Sequence, residues 1–201
     1  WLRKNGYVTP NGVEFSDRFI AIIAGTDKNG SSLKAPLDTI RHFGLIPKSL
    51  LPAGAWMTFD DYHKKSDITQ EMLDLGVEFA KRFYVNYEKI DERDYPALLK
   101  KDALIVAGYA WPNPVNGVYP RVENDPNHAF VVYKLPAYFA FDNYFDEGKT
   151  DDFVKQLAPN YEFLDYGYRI LINKEAVMPQ TQSLLERLLS VLKSWYREIR
   201  Q

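Results

Sequence analysis

The chain has 201 residues, three histidines (His42, His63 and His128) and no cysteine. Of the three, His128 has the setting of a general base. It follows a polar turn, Asn124-Asp125-Pro126-Asn127, and opens a strongly apolar run, HAFVVYKL (128–135). A residue so placed projects at the rim of a sheet. A second run, AYFAFD (137–142), ends in Asp142-Asn143. If the two runs pair as a hairpin, the start of one lies beside the end of the other. Asp142 or Asn143 then reaches the imidazole of His128. Such a partner fixes the tautomer of a general base and stabilises its imidazolium. The plainer alternatives are a packed rim histidine and an aspartate that only begins a turn.

The other candidates carry less chemistry. His42 lies inside an apolar-periodic stretch and reads as structural or solvated. His63 lies in a charged loop and reads as solvated. No HExxH spacing or His-carboxylate cluster occurs, so no metal is expected. The absence of cysteine excludes thiolate zinc sites, iron–sulfur ligation, a disulfide framework and a cysteine nucleophile within these residues. The loop GTDKNGSS (25–32) follows an apolar run and precedes a helix, as a phosphate-binding loop does. Ser31, however, stands where that loop needs its lysine, and no later strand ends in a magnesium-holding aspartate. Asn29-Gly30-Ser31 is also a glycosylation sequon, which has meaning only in a secreted protein. No cofactor is expected.

The elements that must position these residues run helical first, strand-rich later and helical again. Ser16 is placed to cap a short apolar helix ending near Ala24. Apolar residues at 33, 37, 40 and 43 have helical spacing, and Gly44 stops that run. The stretch 58–69 is polar and reads as solvated. A further helix spans 69–84, with Met72, Val77, Phe79, Ala80 and Phe83 inward. The period then changes. ALIVAGYA (103–110), HAFVVYKL, AYFAFD and YGYRILIN (166–173) read as strands. A final helix, 183–201, opens on the capping box Ser183–Glu186 and carries a short heptad stripe. The fold class is therefore α+β, in three parts: a mainly helical half (1–97), a strand-rich half carrying the histidine (98–175), and a linker with the C-terminal amphipathic helix (176–201).

Length and composition bound the rest. At about 150 residues per domain, one domain or two halves sharing an interface is expected. A chain of this size buries roughly 70% of its unfolded surface, so its core needs no disulfide or metal. With 46% hydrophobic and 26% charged residues the sequence is ordinary for a globular protein. A net charge of -2 offers no basic excess for phosphate contacts, so nucleic acid is not an expected partner. No apolar run is long enough for a spanning helix, so no membrane is expected either. The compartment is not fixed by the sequence.

These segments, in this order, resemble the papain-like cysteine peptidases. FSDRFI (15–20) is similar to that family's Leu-Ser-Glu-Gln-Glu-Leu segment. Asn29-Gly30 and the helix to Phe43-Gly44-Leu45 resemble its Asn-Gly-Gly loop and following helix. LIPKSLLP (45–52) stands where the family leads into its Tyr-Pro-Tyr. NHAFVVYKL (127–135) resembles the segment around the catalytic histidine, FDNYF (141–145) stands at Asn-Ser-Trp, and YGYRILIN resembles the Gly-Tyr strand. The resemblance spans roughly residues 12–173.

It implies a helical half packed on an antiparallel, β-barrel-like half, with the site in the cleft between them. It implies His128 as general base to a cysteine thiolate and Asp142, or Asn143, as its orienting partner. Asp142 is favoured, because Tyr144 then takes the place of the shielding tryptophan. Gly30 and Ser31 would offer backbone groups to an extended peptide or protein substrate. Val106 and Ala129 would line a pocket for an apolar side chain. The family's cysteine opens a long helix, preceded by the oxyanion-hole glutamine, and neither is in this sequence. Trp1-Leu2-Arg3-Lys4 resembles the last turn of that helix, so the nucleophile is expected upstream or on a second chain. The alternative implied is an inactive papain-like module in a larger assembly. The final helix would pack on its own domain or mediate an oligomer.

Overall fold

A computed structural model describes residues 14–54, 56–133, 137–142 and 153–172. The expected positions Trp1–Lys4, Asn143 and Tyr144, and the C-terminal helix at 183–201, lie outside these residues.

The first half is helical. α1 (Asp17–Ala24) starts where the sequence places its cap: the Ser16 hydroxyl accepts from the Phe19 amide at 3.0 Å. The same hydroxyl donates to the Leu51 carbonyl at 2.7 Å, tying the helix start to the Pro-rich connector. α2 (Lys34–Phe43) ends at Gly44, whose φ of 70° suits glycine. α3 (Phe59–Tyr62) is a single turn, and α4 (Gln70–Phe83) is capped by Thr69. α2 and α4 cross backbone to backbone. A Cβ on Gly76 would lie 2.2 Å from the Phe43 carbonyl oxygen, and one on Gly44 would lie 1.8 Å from the Gly76 oxygen. Phe19, Ile22, Ile46 and Leu51 form the core of this half, flanked by Ile68, Met72, Leu73 and Leu75.

The stretch 58–69 is mostly exposed, in keeping with its polar sequence, and it is also structured. It folds into α3 and a 3-10 turn, Lys65–Asp67, around a buried arginine. Arg18 is 4% exposed. Its guanidinium donates to the Tyr62 carbonyl at 2.9 Å, the Asp61 carbonyl at 2.5 Å and the Asp67 carboxylate at 2.5 Å. The polar segment supplies acceptors to a buried cation, which is why its sequence looks like a solvated loop.

The second half is one seven-stranded sheet in the order β1-β7-β2-β4-β5-β6-β3. β1 is Val85–Asp91, β2 Leu104–Gly108, β3 Val118–Tyr119, β4 His128–Val132, β5 Tyr138–Phe141, β6 Val154–Leu157 and β7 Tyr166–Ile172. All pairings are antiparallel except β3 with β6, so the sheet is mixed and not wholly antiparallel. A one-turn helix, α5 (Tyr95–Leu98), follows β1. The sheet core gathers Tyr95, Leu104, Val106, Tyr119, Phe130, Val132, Leu157, Tyr161 and Phe163. Between the halves, the Tyr87 hydroxyl of β1 donates to Asp38 of α2 at 2.5 Å.

Candidate active site

Strand register brings His128 and Asp142 together. β2 and β4 pair with Gly108 opposite His128, and β4 and β5 pair with Val131 opposite Phe141 and Val132 opposite Ala140. Continuing that register puts Asp142 across from Phe130. Alternation places His128, Phe130 and Val132 on one face, and Ala140 and Asp142 on the same face. His128 and Asp142 are thus diagonal neighbours across two strands, within reach of a long side chain. The imidazole Nε2 lies 2.7 Å from the Asp142 Oδ1, with side-chain exposures of 13% and 0%. Asp142 is held from behind, its amide donating to the Phe153 carbonyl at 2.8 Å.

A third side chain joins the carboxylate. Trp111 follows β2, in a segment pinned by Asn127: the Asn127 amide donates to the Gly108 carbonyl, and Asn127 Oδ1 accepts from the Ala110 amide at 2.8 Å. The indole Nε1 donates to Asp142 Oδ2 at 2.5 Å. Its ring stands nearly perpendicular to that of His128, with centroids 6.1 Å apart, and packs on Tyr119 and Phe130. The sequence reading missed Trp111, whose trace is an aromatic N–H donor placed just after a buried strand. It contacts the pair from a different point in the chain than Tyr144, the residue expected to shield it. Deeper in, the Tyr161 hydroxyl donates to the Tyr109 carbonyl, and burial raises its pKa well above the ordinary phenol value.

A fourth group was also missed. Lys155, on β6, opposes Ala140 and points to the same buried face. Its side chain is 0% exposed, and its Nζ lies 3.7 Å from Asp142 Oδ2.

The substrate-contact candidates fare differently. Val106 is 0% exposed in the sheet core, so its side chain lines no pocket, which corrects that expectation. Ala129 is exposed, on the opposite face of β4 from His128. Gly30 spends its amide on the Asp27 carbonyl at 2.9 Å, and its own carbonyl accepts from the Asp27 amide, closing a turn. Strand-like pairing through Gly30 is thereby weakened, and exposed Ser31 is the better placed of the two. The described contacts of this loop run to α3, where Lys28 meets Asp60 at 3.7 Å and the Phe59 ring at 5.8 Å.

The remaining histidines stand apart from this cluster. His42 is exposed and caps its own helix at the Asp38 carbonyl. His63 is half-buried and stacked on Phe59 at 4.0 Å, which corrects its reading as solvated. Among the described residues no group of three or more metal-ligating side chains occurs, and no helix is long and apolar enough to cross a membrane.

No protein-family model matches the sequence, and no curated protein matches it. The structure is similar to the solved structure of xylellain, a cysteine protease from Xylella fastidiosa. The TM-score is 0.60 at 13% identity, covering 86% of this chain and 75% of that one. By that likeness the described residues, with five α-helices and a seven-stranded mixed sheet, form an α+β fold of papain-like type.

Proposed function

We propose that this chain is most of a papain-like cysteine peptidase, whose thiol comes from a segment or second chain outside these 201 residues. The observation that carries the reading is the 2.7 Å bond between His128 Nε2 and Asp142, inside a fold similar to that of a cysteine protease. With Nε2 committed to the carboxylate, proton exchange with the thiol falls to Nδ1. His128 takes the thiol proton, and the thiolate attacks the peptide carbonyl carbon. The imidazolium protonates the leaving amine as the C–N bond breaks. Water then attacks the thioester carbonyl, giving its proton to His128, and the acid leaves as the thiol re-forms. Asp142 fixes the ring throughout, and Trp111 keeps water from that bond. Ser31 carries the proposed contact to an extended peptide substrate, whereas Ala129 faces away from His128 across β4.

A second reading rests on one fact, the absence of cysteine from the 201 residues: a papain-like module that binds peptide without cutting it. The discriminating experiment is turnover of fluorogenic peptides by the native protein and its His128→Ala variant. Loss of a general base should lower turnover by about 10²–10⁴-fold. Cleavage unchanged by the substitution overturns the peptidase reading, and native protein that binds peptides without cleaving them supports the module.

A further inference from the structure

The outward face of the sheet carries an apolar row that is covered at one end and bare at the other. We propose that the C-terminal segment, residues 183–201, docks on the bare end of its own chain as an amphipathic helix. The inference is independent of the peptidase reading.

Register defines the row. Tyr168 of β7 lies opposite Ile105 of β2, Ile105 opposite Val131 of β4, Val131 opposite Phe141 of β5, and Phe141 opposite Val154 of β6. Opposed residues share a face, so these five side chains line one side of five neighbouring strands, the side away from His128 and Asp142. At the β7 end Tyr168 is 5% exposed and packs edge-on against Tyr87, whose hydroxyl reaches Asp38 of α2. Across the sheet the cover is lost, and exposure reaches 52% at Phe141 and 40% at Val154. Neighbouring large apolar side chains this exposed form a patch that a further element can complete.

Chain length, patterning and charge select the occupant. β7 ends at Ile172, and residues 173–182 separate it from Ser183. Strands lie about 4.8 Å apart, so Phe141 and Val154 are roughly 14–19 Å across the sheet from β7. A connection of that length spans up to about 33 Å when extended, enough to bring Ser183 to the patch. A helix over 183–201 would be about 28 Å long, and Leu185, Leu188, Leu192, Trp195 and Ile199 would form its apolar stripe. The segment carries Arg187, Lys193, Arg197 and Arg200 against Glu186 and Glu198. The connection from β5 to β6, which joins the strands of Phe141 and Val154, carries Asp146, Glu147, Asp151 and Asp152 against Lys149. Docking therefore brings an excess of base towards an excess of acid. The short tether holds the segment at an effective concentration on the order of millimolar, which favours its own chain over a second copy.

The test uses the 201-residue chain and needs no turnover. Because the chain has no cysteine, one introduced thiol carries one spin label. Ser190→Cys places a nitroxide on the side of the helix opposite the stripe, and backbone amides are read by ¹⁵N-edited NMR. The amides of Phe141 and Val154 should lose most of their intensity with the label oxidised and regain it on reduction. Adding Leu188→Glu and Leu192→Glu to the labelled chain should restore both amides, and Val154→Glu, made on the sheet side instead, should restore that of Phe141. Spin-labelled chain without ¹⁵N, mixed with unlabelled ¹⁵N chain, reads contact between copies and should leave both amides intact. Undiminished Phe141 and Val154 amides in the labelled chain overturn the proposal. So does a loss that persists through the substitutions, because the stripe is then not what docks. A loss as strong in the mixture as in the labelled chain also overturns it, since the occupant is then a second copy.

Discussion

Trp111→Phe is the sharpest probe of the site in the present chain. Phenylalanine keeps an aromatic ring against Tyr119 and Phe130 and removes the indole N–H. That N–H donates at 2.5 Å to Asp142 Oδ2, on a carboxylate whose side chain is wholly buried. Water cannot readily replace the donor there. A hydrogen bond to a charged group contributes about 1.5–3 kcal/mol, and the smaller ring forfeits some packing. The combined loss should be about 2–4 kcal/mol. Urea unfolding followed by far-UV circular dichroism reads it directly. With a slope of about 2 kcal/mol per molar, the midpoint should fall by about 1–2 M with the slope unchanged. The His128 imidazole signal should also move, because its partner loses one of its donors. A midpoint within about 0.3 M of the unsubstituted chain would mean that the carboxylate does not depend on Trp111, and the shielding argument would fail.

Three other perturbations test how the scaffold holds together. Arg18→Met removes a buried guanidinium from two carbonyls and the Asp67 carboxylate, so unfolding free energy should drop by about 3 kcal/mol; a drop below about 1 kcal/mol would show that α3 and the 3-10 turn do not depend on it. Gly76→Ala should destabilise by about 1–3 kcal/mol although alanine is the better helix former, since its Cβ would meet the Phe43 carbonyl at 2.2 Å; a stabilised variant would contradict the close helix crossing. Asp91 is held down to a pKa of about 2, chiefly by the Arg93 side chain and then by its amide. A depressed carboxylate stabilises the fold above its ordinary value of 3.8 and loses that contribution as pH falls through about 2. The thermal-midpoint gap between the chain and its Asp91→Asn variant should therefore be steady above pH 5 and shrink across that window, whereas a gap that stays flat down to pH 2 would refute the assignment.

What could be read from sequence divides along physical lines. Ser16, the spacing 33-37-40-43 and Gly44 marked α1 and α2 because caps and stops act locally. His128 and Asp142 were legible because each sits at the end of an apolar run, and pairing the runs needs only a short connection. β1 was missed because VNYEKID turns mainly polar side chains outward, leaving Val85 and Ile90 as its buried residues. β6 was missed for a sharper reason: in Val154-Lys155-Gln156-Leu157 the inward positions are a lysine and a leucine, so the period-2 pattern is broken by the residue that meets Asp142. Trp111 lay in the Pro-rich run WPNP, which reads as a turn, and only the fold shows its N–H aimed at the carboxylate. Val106 was placed in a pocket by resemblance, although its own run, ALIVAGYA, already looked like a buried strand. Arg18 reached its acceptors through long-range packing that no local rule encodes.

The most direct test of the central claim is mass spectrometry of the native protein after treatment with a thiol-reactive peptidyl probe. The account predicts one covalent label, on a cysteine outside the 201 residues, formed quickly with His128 present and far more slowly in His128→Ala. A label whose rate is indifferent to His128, or native protein that takes up no label, would contradict the account and leave this fold as a binding module.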